Sequence, residues 1–166
     1  HMKKIDSHLH VWSHDPENYP YRQGQDPPKA RGDAEFLLEL MDDAAVAGSL
    51  IVQPIYHGFD HAYVDETLRH WPDRFIGMCL VNPRDHDPIA MLEGLVDSGY
   101  RGVRFNPALW SPQEPMDGDV GRSLYSRAGE LDITVGFLVG PSHYDAIEAL
   151  ADEFPRTRAI VDHFGH

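Results

Sequence analysis

Short apolar, β-rich runs alternate along the chain with longer segments in which apolar residues recur three and four positions apart. The first pattern predicts buried strands, and the second predicts amphipathic helices. The predicted strands cover residues 4–8, 50–53, 75–81, 102–105, 133–139 and 159–162. Because helical segments separate strands that start roughly every 25–30 residues after the first unit, the pattern predicts βα units around a parallel sheet.

Capping residues mark most of the predicted helices. The predicted N-caps are Asp33, Asp60, Asp87 and Ser142, whose side-chain oxygens can accept first-turn N–H groups. The first helix, over residues 33–47, is expected to end in a left-handed conformation at Gly48. A further helix over residues 120–131 contains Gly121 and Gly129, which lower its intrinsic helix propensity.

The loop after the first strand decides between two α/β architectures. A dinucleotide-binding domain would carry G-x-G-x-x-G there, whereas this chain carries histidines. The pattern therefore favours a (β/α)8 TIM-barrel type of fold, in which chemistry occurs at the carboxyl ends of the strands. We expect a single domain over residues 3–166, preceded by a tag remnant at residues 1–2.

Charge and cysteine content narrow the partners and the compartment. The formal net charge of -13 opposes binding to nucleic acid and to anionic membranes, although a local arginine can still hold a small anionic substrate. No apolar run approaches the length of a transmembrane helix. The single cysteine, Cys79, lies in an apolar strand and is predicted to be buried, which fits a reducing cytoplasm.

The most informative stretch is the HxH pair at the end of the first predicted strand. Strand alternation would place His8 and His10 on one face, together with Asp6, whose carboxylate could fix the tautomer of a ring. His163 follows the last predicted strand and is the candidate third imidazole. Three neutral imidazoles would suit Zn²⁺. The alternatives are ordinary exposed or hydrogen-bonded histidines at 8 and 10, and a capping or loop histidine at 163.

Other polar residues follow the strand ends and are candidates for binding substrate. Arg104 is the best candidate for clamping a carboxylate, and the alternative is a salt bridge on the barrel rim. The remaining candidates are Tyr56, His57, Asn82 and Asn106. Each asparagine precedes a proline, so ordinary turn chemistry is the alternative for both. The irregular segment of residues 13–32 follows the HxH pair and is a candidate flap over the site.

Several motifs, taken together, resemble the amidohydrolase superfamily in its amidohydrolase-2 branch. They are IDSHLHVW at 5–12, VQP at 52–54, HWPDRF at 70–75, GVRFN at 102–106 and VDHFG at 161–165. The resemblance implies a TIM-like barrel and places His8, His10 and His163 at the catalytic centre. Within the branch it is nearest to lactonases that open 2-pyrone-4,6-dicarboxylate and related sugar or muconate lactones. Some relatives use zinc or manganese, and the pyrone lactonases work without metal.

The chain departs from this family pattern in two ways. The fifth strand offers no further metal ligand, which counts against a binuclear site. The family barrel has eight strands, whereas about six are predicted here, and the last-strand aspartate has no counterpart. We therefore expect an incomplete barrel with open sheet edges, which could be a fragment of a longer protein.

Three functions remain as hypotheses. The leading one is a hydrolase that opens a small carboxylated lactone or related ring ester with activated water. The second is a metal-dependent decarboxylase of an aromatic or unsaturated acid. The third is a catalytically inert partial barrel that self-associates through its open edge, giving a homo-oligomer.

Overall fold

The computed structural model describes residues 3–26 and 28–165. By compactness the chain divides into two units, His1–Met78 and Cys79–His166. The expected tag remnant at residues 1–2 lies outside the described residues. A single domain over residues 3–166 stays a prediction.

The first unit alternates strands and helices. Its elements are β1 (Lys4–Leu9), α1 (Ala34–Asp43), β2 (Val46–Val52), α2 (Ala62–His70) and β3 (Phe75–Cys79). β2 pairs in parallel with β1 on one side and with β3 on the other. Ile51 and Val52 of β2 are completely buried, and Val64 of α2 is almost completely buried, so both elements contribute to the apolar core of this unit.

The second unit continues the same alternation. Its elements are α3 (Pro88–Asp97), β4 (Tyr100–Phe105), α4 (Asp119–Glu130), β5 (Thr134–Phe137), α5 (Tyr144–Glu153) and β6 (Arg158–Val161). β5 pairs in parallel with β4 and with β6. Leu92, Leu124 and Leu150, one from each helix, are fully buried. A short 3-10 turn follows each of the three strands at its carboxyl end. The predicted parallel βα architecture is confirmed.

The helix caps agree in part with the sequence prediction. Asp33 and Asp87 are N-caps whose carboxylates accept N–H groups at 3.0 and 2.9 Å. Asp60 accepts the Ala62 N–H, although the residue at the cap position is His61. Ser142 is not the cap of α5, so that prediction is wrong. A 3-10 turn over Pro141–His143 precedes this helix, and the residue at the N-cap position is therefore His143.

The predicted stop of the first helix at Gly48 is also wrong. α1 ends at Asp43, and the left-handed residue is Ala45, with φ of 53°. Gly48 lies inside β2, where a Cβ would approach the Arg74 carbonyl oxygen to 3.2 Å. This glycine therefore permits close backbone approach within the first unit.

The outer strand of each unit is exposed. β1 pairs only with β2 among the described residues of the first unit, and its Ile5 is 64% exposed. β6 likewise pairs with β5 in the second unit, and Ile160 and Val161 are each about two-fifths exposed. All described helices are too short or too polar to cross a membrane.

Candidate active site

His8 and His10 lie at the carboxyl end of β1 with their rings in contact. The ring centroids are 5.2 Å apart and the rings are perpendicular. The β1–β2 register shifts here, because three steps from Asp6 to Leu9 face only two on β2. This bulge breaks the strand alternation on which the predicted role of Asp6 depended. The Asp6 carboxylate instead accepts the backbone N–H of His8 at 3.1 Å.

A backbone carbonyl orients the His10 ring. Nδ1 of His10 lies 2.8 Å from the carbonyl oxygen of Val52, the last residue of β2. Because a carbonyl oxygen can only accept, we assign the ring proton to Nδ1. Nε2 then keeps its lone pair, which is the state required of a metal ligand or a proton acceptor. The sequence suggested that the Asp6 carboxylate fixes the tautomer of a ring. In the structure, the backbone carbonyl of Val52 at the end of β2 does so for His10.

His57 is buried and fastens a loop. Its Nδ1 donates to the Pro20 carbonyl at 3.0 Å, and its Nε2 accepts the Ser13 backbone N–H at 3.2 Å. Both ring nitrogens therefore serve backbone groups. A role of His57 in substrate binding stays a prediction. Because both ring nitrogens are hydrogen-bonded to the backbone, only the carbon atoms of the ring could contact a substrate.

The segment of residues 13–32, predicted as a flap, has several anchors in the first unit. The Tyr19 hydroxyl bonds the Glu66 carboxylate on α2, and this raises the pKa of Tyr19 to about 12. The Arg22 N–H donates to the Tyr56 carbonyl at 2.7 Å. The Tyr56 ring meets the Trp12 ring edge to face, with centroids 5.9 Å apart. Tyr56 therefore contributes to anchoring this segment, and its contact with substrate stays a prediction.

Gln53 shapes the loop that carries Tyr56 and His57. Its side chain is buried, and the amide nitrogen donates to the carbonyls of Gly58 and Asp60 at 3.1 and 2.7 Å. Sequence reasoning did not assign a role to this residue. Its position directly after an apolar strand was the signal that could have found it, since a buried amide there must satisfy local backbone groups.

In the second unit, Arg104 forms a buried ion pair. Its Nε lies 2.8 Å from Oδ2 of Asp162, and the two side chains are 8% and 3% exposed. The sequence offered a carboxylate clamp or a rim salt bridge for Arg104. The structure shows the salt bridge, but in the interior. The substrate role of Arg104 stays a prediction that depends on the terminal nitrogens of its guanidinium.

His163 occupies a strained turn directly after β6. His163 and Phe164 have φ of 52° and 59°, a conformation that residues with a side chain rarely adopt. Each such residue costs on the order of 1–3 kcal/mol, and strain of this kind concentrates at functional sites. His163 is in the second unit and the HxH pair is in the first, so their predicted convergence stays a prediction.

Asn82 and Asn106 both perform the turn chemistry that was the alternative to substrate binding. The side-chain oxygen of Asn82 accepts the Arg84 N–H at 3.1 Å, and that of Asn106 accepts the Ala108 N–H at 3.0 Å. A substrate contact by either residue stays a prediction, and it would use the side-chain N–H donors.

A cleft of about 510 Å³ lies beyond the carboxyl ends of β4 and β5. Trp110 and Met116 line it from the loop after β4, and His143 lines it from the turn after β5. The ring of Trp110 contacts that of Phe105 at the end of β4, with centroids 5.2 Å apart. Sequence reasoning did not find this cleft, because its lining comes from irregular loops without periodicity.

The donors present fit a metal ion only in part. His8 and His10 offer two imidazoles at one strand end, with the tautomer of His10 set for ligation. Within residues 3–26 and 28–165, no group of three or more His, Cys, Asp or Glu side chains is arranged to hold a metal ion. The third ligand predicted from the sequence is His163.

Solved structures of similar fold align with nearly the whole length of the chain. A probable 2-pyrone-4,6-dicarboxylic acid hydrolase from Acinetobacter baumannii, with citric acid bound, aligns with a TM-score of 0.81 and 20% identity over 99% of this chain. An amidohydrolase from Burkholderia multivorans with bound zinc aligns with a TM-score of 0.72 and 19% identity, also over 99%. A 2,6-dihydroxybenzoate decarboxylase complexed with 2,6-dihydroxybenzoate gives 0.66 and 19% over 98%.

The chain covers only part of the length of each of these structures. The chain spans 59%, 58% and 66% of the three structures, respectively. Their likeness confirms the predicted fold class, an incomplete α/β barrel of the TIM type. The family model described as Amidohydrolase, for the amidohydrolase-2 family, matches residues 5–166. No curated protein matches the chain.

Proposed function

Because the chain belongs to the amidohydrolase-2 family, we propose that the whole protein hydrolyses a small carboxylated lactone or a related ring ester. The observation that carries this proposal is the His8–His10 pair, with Nδ1 of His10 bound to the Val52 carbonyl. The similarity to a probable pyrone dicarboxylate hydrolase supports an anionic ring ester as the substrate class.

The residues would divide the work of hydrolysis. A water molecule attacks the lactone carbonyl, and Nε2 of His10, which carries no proton in the assigned tautomer, accepts the proton that this water loses. His8 and His163 polarise the carbonyl by donating ring N–H groups to its oxygen. The ring C–O bond then breaks, and its oxygen takes the proton back from His10. The terminal nitrogens of Arg104 bind a substrate carboxylate while its Nε remains on Asp162. Tyr56, His57, Asn82 and Asn106 complete the substrate-binding set.

A divalent metal ion, Zn²⁺ or Mn²⁺, is proposed on His8, His10 and His163. When bound, such an ion would lower the pKa of its water and polarise the carbonyl. The zinc-bound amidohydrolase from Burkholderia multivorans supports this choice. A metal-free lactonase is the alternative. Metal analysis of freshly purified protein separates the two, since one equivalent of zinc or manganese supports the first and its absence supports the second.

The test of the hydrolase proposal uses the full-length protein with 2-pyrone-4,6-dicarboxylate and a panel of sugar lactones. We expect ring opening, and a loss of at least about 100-fold in kcat for His10→Ala. The control is His70→Ala, an exposed histidine on α2 whose removal should leave the rate unchanged. Undiminished hydrolysis by a variant with alanine at positions 8, 10 and 163 would refute the assignment.

A decarboxylase is the second candidate, supported by the similarity to 2,6-dihydroxybenzoate decarboxylase. His8, His10 and His163 would then hold a metal ion, which would supply an electron sink for the loss of carbon dioxide. Release of carbon dioxide from a hydroxybenzoate, without ring opening of any lactone, would favour a decarboxylase over a lactone hydrolase.

A non-catalytic, self-associating partial barrel is the third candidate, and it concerns the 166-residue chain alone. The exposed apolar residues Ile160 and Val161 on the outer strand β6 support pairing with a second copy. Light scattering combined with the lactone assay decides the matter. An active monomer would remove this candidate, and an inactive dimer would support it.

The remaining partner and location proposals rest on charge and thiol chemistry. The net charge of -13 supports a protein that binds neither nucleic acid nor anionic membranes. The lone cysteine, Cys79, is buried in a strand and supports residence in the reducing cytoplasm. Fractionation of cells that express the tagged full-length protein tests the location.

A further inference from the structure

The turn after β6 holds three successive residues in the left-handed region. His163 and Phe164 are followed by Gly165, with φ of 69°. The turn is closed by the Gly165 N–H, which donates to the Asp162 carbonyl at 2.9 Å. Only the glycine adopts this conformation without steric cost, so contacts elsewhere must hold the other two.

Each end of the turn is held by a side chain from another element of the second unit. At the first end, the Asp162 carboxylate is bound by Arg104 of β4. At the other end, the Tyr144 hydroxyl donates to the Gly165 carbonyl at 2.6 Å. A Cβ at position 165 would overlap this hydroxyl, so the glycine is needed for the approach as well as for its φ.

We propose that Tyr144 is a positioning residue for His163. Its hydroxyl holds the Gly165 carbonyl and thereby maintains the left-handed backbone that sets the direction of the His163 imidazole. The catalytic part of this inference rests on the proposed lactone hydrolysis, whereas the structural part does not.

The location of Tyr144 argues against a role in packing alone. It is the first residue of α5 and is 41% exposed, so its ring is not part of the buried core. The hydroxyl, in contrast, makes a short bond to a carbonyl 21 positions away. Replacing Tyr144 with phenylalanine keeps the ring and removes only this bond.

The test compares Tyr144→Phe with Tyr125→Phe in the full-length protein. Tyr125 also donates to a backbone carbonyl of the second unit, that of Thr157 at 3.5 Å, but it holds no part of the turn. We expect Tyr144→Phe to lower kcat about tenfold and to change KM less than twofold, because a misdirected imidazole slows the chemistry more than it weakens binding. Tyr125→Phe should keep the wild-type kcat.

A second measurement does not depend on turnover. The Cε1–H signal of His163 in a ¹H–¹³C spectrum is assigned by its loss in His163→Ala. We expect this signal to shift or broaden in Tyr144→Phe and to stay in place in Tyr125→Phe. If Tyr144→Phe does not fold, Tyr144→Leu removes the same hydroxyl with a different side chain at this partly exposed position and should move the same signal.

The outcomes separate the two proposals. An unmoved His163 signal in the Tyr144 variant, or an unchanged kcat, would overturn the positioning role. If the wild-type protein opens no lactone, the proposed function fails, and the His163 spectrum alone then decides whether Tyr144 holds the turn.

Discussion

Nε of Arg104 and Oδ2 of Asp162 lie 2.8 Å apart, in an ion pair that is almost completely shielded from solvent. The pair links β4 to the turn after β6. It therefore affects the stability of the fold and also supports the turn that carries the candidate catalytic residue His163. A charge buried without its partner is costly, whereas an apolar pair of similar volume often replaces a buried ion pair without loss.

Breaking this ion pair should destabilise the protein strongly. We expect Asp162→Ala to lower the free energy of unfolding by about 3–5 kcal/mol, because it leaves the Arg104 charge buried and alone. The double variant Arg104→Met/Asp162→Leu should recover most of that loss. Urea unfolding of the single and double variants measures both.

The control is an exposed pair in the same unit. Arg158 bonds Asp132 at 2.7 Å, but the side chains are 57% and 86% exposed. Arg158→Ala should therefore cost less than about 1 kcal/mol. If Arg158→Ala lowered the free energy of unfolding as much as Asp162→Ala, burial would not determine how much each ion pair contributes to stability.

The cap of α1 should make stability depend on pH. The bond from Arg31 holds the pKa of Asp33 at about 2, with help from the Phe36 N–H. A carboxyl whose pKa is depressed on folding stabilises the folded state above its ordinary pKa of 3.8, and this stabilisation is lost as the pH falls toward 2.

We therefore expect Asp33→Ala to cost about 1 kcal/mol at pH 6. The difference from wild type should narrow between pH 4 and pH 2, as followed by urea unfolding at several pH values. Leu40→Ala, an exposed position on the same helix without a titrating group, should change the free energy of unfolding by the same amount at every pH. A penalty for Asp33→Ala that is constant with pH would contradict the capping role.

Two helix glycines should respond in opposite ways to alanine. Nothing lies within 4 Å of a Cβ built at Gly94 on α3, so Gly94→Ala should stabilise the protein by about 0.5–1 kcal/mol through helix propensity. A Cβ at Gly121 on α4 would overlap the Met116 carbonyl, so Gly121→Ala should destabilise by about 2 kcal/mol. Thermal unfolding measures both, and equal signs would contradict the packing at Gly121.

Removing the ring of His57 should loosen the segment of residues 13–32. His57→Ala leaves the Ser13 N–H and the Pro20 carbonyl without their buried bonds. We expect faster limited proteolysis within this segment, with cleavage sites identified by mass spectrometry. His86→Ala serves as the control, because His86 is exposed and belongs to the second unit. Unchanged proteolysis in His57→Ala would mean that other contacts anchor the segment.

The pattern of the sequence predicted the elements well because it is local. Alternation of apolar runs and helical spacing located all six strands, and the caps at Asp33 and Asp87 were recognisable from residue type alone. The error at Gly48 arose because a glycine after a helical pattern is typical of a helix end. The close approach of the Arg74 carbonyl, which explains this glycine, joins residues far apart in sequence.

By itself the sequence determined the strand-and-helix order, the family motifs and the placement of histidines at strand ends, since each is written in residue type and spacing. Only the tertiary structure decided which atoms these residues bind. It showed that the ring of His10 is oriented by the Val52 carbonyl rather than by Asp6. It also showed that Nε of Arg104 donates a hydrogen bond to the carboxylate of Asp162. The physical reason is that hydrogen-bond partners are set by strand register, and one bulged residue in β1 is enough to change them.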